Sequence, residues 1–156
     1  MRGLKQIIGA LLLAAVLPVM AQTADDPALG TWKLNMAKSS VPASVGIKGM
    51  TRVYTLTHDG ISMVETQQLT AGGTNTITYL FRYDGKETPV TGSKLYDSLS
   101  VKEISKGKTE SVVKLKGAPA GKNVREVSKD GKTMQMDTVL KIDGKDTDVK
   151  YVFEKQ

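Results

Sequence analysis

Turn signals recur along this chain at short, near-regular intervals, and they constrain its fold more than any other feature. They are Asp59-Gly60, Gly72-Gly73, Asp84-Gly85, Gly107, Gly121, Asp130-Gly131 and Asp143-Gly144. Over most of the chain they fall about 10–14 residues apart, the meter of an all-β sandwich or barrel. Asp-Gly suits two-residue hairpins because both central residues of a type I′ turn need positive φ. No segment between these signals sustains a helical period, and the turns leave no room for a long helix.

The runs between turns alternate as strands do. In Asn75 to Tyr83, the residues Ile77, Tyr79, Phe81 and Tyr83 point one way and Thr76, Thr78, Leu80 and Arg82 the other. Met134, Met136, Thr138, Leu140 and Ile142 share one face near the C-terminus, followed by Val149, Tyr151 and Phe153. Met50, Tyr54 and Leu56 share a face with Arg52 and His58. Ile61, Met63 and Leu69 share one with Glu65 and Gln67. Hairpin logic over the chain predicts about 8–10 antiparallel strands. An apolar face must be covered, and curling into a closed barrel does so while removing edges. The short turns favour an up-and-down barrel over a Greek-key sandwich, which needs long return connections. Two segments break the meter and read as irregular loops, Ala37 to Gly49 and Lys86 to Leu95, with Val90 placed in a short edge strand. Long loops are where function concentrates.

The N-terminus reads as an export signal. Arg2 and Lys5 form a basic region, Ile7 to Val16 a short apolar region, and Val19-Met20-Ala21 a small-residue cleavage site. The expected division is a signal peptide over 1–21 and one domain over 22–156. The apolar run is shorter than the roughly 20 residues of a membrane span, so no stable membrane insertion is expected after cleavage. The chain has no Cys, so closure must come from packing and strand pairing. Its net charge of +6 falls to +4 without Arg2 and Lys5. The lysines are scattered over turns rather than gathered into a tract, and no nucleic-acid partner is expected.

Gly30-Thr31-Trp32-Lys33-Leu34-Asn35 with Ala37-Lys38-Ser39 carries the only tryptophan. Together with Tyr83-Asp84-Gly85-Lys86, Pro89-Val90-Thr91-Gly92, Val127 to Met134 and Glu154-Lys155-Gln156, it resembles a group of small exported bacterial proteins with a lipocalin-like domain and an N-terminal Gly-x-Trp motif. The resemblance implies an all-β, antiparallel, calycin-type barrel, periplasmic or extracellular, in which Gly30 and Trp32 close one end. It implies little about activity. The chain departs from lipocalins in ending on a strand and in lacking disulfides. Fatty-acid-binding proteins place an Arg-x-Tyr near the C-terminus; here the only such triplet is Arg52-Val53-Tyr54, so that site is not carried over.

Catalytic signals are poor. His58 is the only histidine, and no Gly-x-Ser-x-Gly elbow occurs. A multi-His or Cys metal site is excluded by composition. Gly107-Lys108-Thr109 and Gly131-Lys132-Thr133 lack the upstream glycine of a phosphate loop. Lys145 occupies a ligand position in the acidic Asp143 to Asp148 stretch, which reads as a solvated hairpin. Neither an enzyme nor a cofactor is expected.

The reading is therefore a monomeric exported barrel that binds a small, partly apolar or amphipathic ligand non-covalently. Tyr79, Phe81, Met134, Met136, Tyr151 and Phe153 are the expected wall, with Arg52 or Arg125 orienting an acidic head. The alternative is a filled barrel serving as a structural or interaction module of the envelope. Arg52, Glu65 and Gln67 bear on the choice: if they point inward, they pair with one another or the interior is wet.

Overall fold

The computed structural model describes residues 24–156; the signal segment expected over 1–21 lies outside the described residues. Ten strands form one closed antiparallel barrel in the order β1-β10-β9-β8-β7-β6-β5-β4-β3-β2. They are β1 Gly30–Leu34, β2 Ile47–Thr57, β3 Gly60–Leu69, β4 Thr74–Phe81, β5 Asp84–Thr91, β6 Ser98–Ser105, β7 Lys108–Leu115, β8 Ala118–Val127, β9 Thr133–Ile142 and β10 Lys145–Lys155. Every sequence neighbour pairs with the next, and β1 closes on β10 through Trp32↔Lys155 to Leu34↔Phe153. This is the up-and-down barrel that the turn meter predicts.

Alternation sets the inside. Ile77 and Phe81 of β4, Ile61 and Met63 of β3, Met134 and Met136 of β9 and Val149, Tyr151 and Phe153 of β10 all enter one buried cluster. The two ends of the barrel follow from strand parity. One end carries the connections 35–46, 70–73, 92–97, 116–117 and 143–144. The other carries the connections 58–59, 82–83, 106–107 and 128–132 together with the N-terminal segment 24–29. Below, these are the mouth and the base.

Three turn readings change. Lys86 to Thr91 belongs to β5 rather than to a loop, and the barrel has no edge for Val90 to occupy. Pro89 is tolerated because β5 pairs with β4 only at Thr78↔Thr91 and Tyr79↔Val90, where the missing N–H breaks no ladder bond. Thr88 Oγ1 donates instead to the Leu80 carbonyl at 2.6 Å. Gly121 lies within β8, and the turn is Lys116-Gly117, both at positive φ. Of the Asp-Gly pairs, only Asp143-Gly144 has positive φ at both residues. At Asp130-Gly131 the Asp side chain shapes the turn by itself, accepting from Ser128 Oγ at 2.6 Å and from the Lys132 N–H at 3.0 Å.

The 35–46 connection holds two short 3-10 turns, Met36–Lys38 and Ala43–Val45. The first straps the outside of β10. The Asn35 N–H donates to the Val152 carbonyl at 2.8 Å, and Ser40 bridges Lys150. That strap is why Val152, on the outward face, is buried.

Candidate functional site

Among the described residues, the base is densely packed. Trp32 is 0% exposed, and its Nε1 donates to the Ala28 carbonyl at 2.7 Å. The Lys155 ammonium sits 5.1 Å from the ring centroid, a cation–π contact. Gly30 precedes this tryptophan at φ +114°, and a Cβ there would meet Lys155 Cε at 3.1 Å. The glycine of the Gly-x-Trp motif is thus a backbone requirement. Arg125 lies within the same plug. Its Nη2 donates to Tyr83 OH at 3.0 Å, and Tyr83 OH donates to Asp26 Oδ2 at 2.5 Å. The guanidinium also lies over the Tyr54 ring, 5.2 Å from its centroid. Burial opposes the Arg125 charge, but Tyr54 and Tyr83 outweigh it and hold the guanidinium pKa above its ordinary value. The phenol of Tyr83 is pushed up by burial, with Asp26 adding to the effect. The relay ties the N-terminal segment across the base.

The mouth half is hollow. A cavity of about 460 Å³ is lined from Val45 and Gly46 at the rim, past Met50, Leu69, Ile77 and Leu140, down to Arg52 and Glu65. Its size falls within the ordinary range of small-molecule pockets. At its floor lies a buried ion pair. Arg52 and Glu65 occupy directly opposed positions on β2 and β3, with Arg52 Nη2 2.5 Å from Glu65 Oε2 and side chains 7% and 1% exposed. Burial works against the Arg52 cation, but the Glu65 carboxylate outweighs it and keeps the guanidinium pKa well above its ordinary value. Arg52 Nη1 donates to Tyr54 OH at 3.3 Å and contacts Met136 Sδ at 2.8 Å. Burial also opposes ionisation of Tyr54, yet Arg52 and Arg125 together pull its pKa down.

Glu65 is tied back to the rim. Gln67 Nε2 donates to Glu65 Oε1 at 2.6 Å, and Asn75 Nδ2 donates to Gln67 Oε1 at 3.2 Å. Asn75 Nδ2 also reaches the Gly92 carbonyl at 3.2 Å. Gly92 must be glycine here: φ is +88°, and a Cβ would stand 1.9 Å from the Thr76 carbonyl oxygen. The relay therefore runs from the ion pair to the 92–97 loop at the mouth.

The residues expected to form the wall divide between the two halves. Arg52, Met136 and Tyr151 line the cavity. Tyr79, Phe81 and Arg125 surround a void of about 10 Å³ beneath it, with Met136 shared. Tyr79 and Phe81 have ring centroids 5.7 Å apart, and Phe81 and Tyr83 5.5 Å. Met134 and Phe153 are 0% exposed in the packed cluster and lie outside both linings. His58 is in a base turn with its side chain 98% exposed. Sequence reasoning missed Thr138, Asn75 and Tyr96. Thr138 had a visible signal, a hydroxyl in the otherwise apolar inward row of β9. Asn75 and Tyr96 had none, because their place depends on how loops meet at the rim.

A second concavity, about 620 Å³, lies on the outer face of β7 to β10. It is floored by Val112, Val124 and Val139 and rimmed by Glu110, Lys122, Asp137 and Lys150. The inner cavity is the better candidate, because it holds the buried Arg52–Glu65 ion pair. Among the described residues, no group of His, Asp and Glu is placed to hold a metal, and no helix is long and apolar enough to cross a membrane.

No protein-family model matches the chain, and no curated protein matches it. Among solved structures, it is similar to the zebrafish ileal bile acid-binding protein complexed with cholic acid. The identity is 14% and the TM-score 0.50, covering 83% of this chain and 99% of the other. At that identity the likeness concerns fold alone. The closed ten-strand order and this likeness agree that the chain has the lipocalin-type, or calycin-type, β-barrel fold.

Proposed function

We propose that this is an exported, monomeric, non-catalytic carrier that holds one small, partly apolar molecule in the mouth half of its barrel. The observation that carries the reading is the cavity of about 460 Å³, apolar in its walls and polar at its floor. Fully packed small barrels leave no such volume. The solved neighbour, named for binding bile acid and complexed with cholic acid, supports the reading by showing that a barrel of this type can enclose an amphipathic molecule. Export rests on the resemblance to exported bacterial lipocalin-like proteins and on the n-region, h-region and cleavage site at 1–21. Mass spectrometry of small molecules extracted from the natively exported protein tests the function. The expected result is one dominant species at near-equimolar amount. An empty extract, with no fluorescence enhancement of a neutral apolar probe, would overturn it. The N-terminal sequence of the exported protein, expected to begin at Gln22, tests the signal.

The outer concavity favours a second reading, an interaction module, because Val112 remains exposed on it. A crosslinking pull-down in which Val112→Asp removes an envelope partner would favour that reading.

A further inference from the structure

The charge at the cavity floor is already spent. Arg52 has Glu65 at 2.5 Å and spends its remaining Nη on Tyr54 and Met136. A carboxylate entering the cavity to reach this guanidinium would have to stand beside the Glu65 carboxylate. Two like charges in a desolvated site repel, and one must then be neutralised or expelled. Glu65 cannot easily withdraw, because Gln67 and Asn75 hold it from behind.

The floor nevertheless has uncommitted polar atoms. Among the described residues, Arg52 Nε and Thr138 Oγ1 are both buried without a hydrogen-bond partner, and both residues line the cavity. Arg52 Nε belongs to the guanidinium already paired with Glu65, which leaves Thr138, only 8% exposed, as the neutral group. A buried hydroxyl left unpaired is costly, and such groups in folded proteins call for an explanation. A hydroxyl both donates and accepts, so it matches an alcohol, carbonyl or amide. Two phenols in the lining are biased towards their neutral form: burial, with Glu65 adding, raises the Tyr96 pKa, and burial pushes Tyr151 up to about 12. Above this floor, Met50, Leu69, Ile77 and Leu140 form the apolar wall.

We infer that the ligand is an uncharged amphiphile, with an alcohol, carbonyl or amide head on an apolar body, and that Thr138 rather than Arg52 receives its head. The inference rests on the carrier reading above and specifies its ligand class. It departs from the expectation that Arg52 orients an acidic head. The Arg52–Glu65 pair instead acts as a negative selector: it fills the floor with a neutralised pair that turns carboxylates away. Lys94, exposed on the 92–97 loop at the rim, is the one lysine among the described residues that line the cavity, and a carboxylate could reach it in the reverse orientation.

A matched pair of ligands tests this on the mature protein. Monolauroylglycerol and laurate share an acyl chain and differ in head charge. Each is titrated at pH 8, below its micelle concentration, against bound N-phenyl-1-naphthylamine, a neutral fluorescent probe. The expected result is that the glyceride displaces the probe at a concentration about tenfold lower than laurate. Thr138→Val should weaken the glyceride about fivefold, the worth of one hydrogen bond. Thr138→Ser should restore it. Glu65→Gln, where it folds, should uncover the guanidinium and reverse the preference towards laurate. Laurate binding as tightly as the glyceride in the unmodified protein overturns the inference, as does glyceride affinity indifferent to Thr138→Val. Laurate binding that depends on Lys94 also overturns it, while leaving the carrier reading intact. If the probe and both ligands fail to bind, the carrier reading falls, and the inference with it.

Discussion

The two halves of this barrel each bury an arginine against aromatic rings, and they differ in where its counter-charge sits. At the base, Arg125 forms no direct ion pair among the described residues; it spreads its charge over Tyr54 and Tyr83 and reaches Asp26 through the Tyr83 hydroxyl. The surrounding volume is filled, down to a void of about 10 Å³. At the floor of the mouth half, Arg52 meets Glu65 directly, and about 460 Å³ stands open above them. Aromatic faces let a charge be buried within packing, so the base can be dense. Arg52 is held from the base side by the Phe153 ring, 5.4 Å to its centroid, and by Tyr54 and Met136, while the pair's other side faces the cavity. The difference teaches that a buried charge in a barrel does not by itself mark a ligand site; what surrounds the charge decides.

The largest effect should come from emptying the base. Trp32→Ala removes the biggest packed side chain together with its bond to Ala28, and should cost about 3–5 kcal/mol in chemical denaturation. A loss under about 1 kcal/mol would mean that the base is not the rigid half. Next comes the floor. Glu65→Gln leaves Arg52 buried without its counter-charge and should cost about 3 kcal/mol. The double change Arg52→Met with Glu65→Met should recover most of that stability, since apolar replacement of a buried pair is often neutral. If the double variant is no more stable than the single one, the pair is not acting as a self-contained unit.

Tyr83→Phe should be milder, about 1–3 kcal/mol, because it breaks the hydroxyl link between Arg125 and Asp26 while keeping the ring. Hydrogen exchange should then rise in residues 24–29, which that link ties down, and stay unchanged at the mouth. Exchange rising at the mouth instead would show the halves to be coupled.

The smallest effect is acid loosening of the surface. Hydrogen bonds from Ser128 and the Lys132 N–H hold the Asp130 carboxyl below its ordinary pKa, and bonds from Lys38 and Asn35 do the same for Glu154. A carboxylate with a lowered folded pKa contributes stability above its unfolded pKa and loses it as pH falls through the folded value. The thermal midpoint should therefore be flat near neutrality and decline gently once pH drops below the ordinary carboxylate range. No decline beyond that of a variant carrying Asp130→Asn and Glu154→Gln would remove these groups from the account.

Much of the fold was legible because it rests on local rules. Period-two alternation put Ile77, Tyr79, Phe81 and Tyr83 on one face, and the glycine-rich turns set hairpin order. Where a turn depended on a side chain, as at Asp130, or on a lysine at positive φ, as at Lys116, composition could not show it. The site was legible only in outline. Alternation put Arg52, Glu65 and Gln67 on faces shared with apolar residues and posed a choice, if those faces turn inward, between mutual pairing and a wet interior. The pair forms at the floor, with a cavity over it.

Turn spacing and alternation favour an antiparallel up-and-down barrel, the Gly-x-Trp motif puts Trp32 in the packing at one end, and composition leaves any site without Cys or multi-His chemistry. Those are consequences of composition and of contacts between neighbours in the chain. Which half is hollow, how Arg52 is neutralised while Thr138 has no hydrogen-bond partner among the described residues, and the packing of Met134 and Phe153 outside the cavity lining emerge only when the strands assemble. Each of these depends on strands far apart in sequence meeting across the barrel. The distance between Arg52 and Met136, for example, is set by closure and not by any local preference.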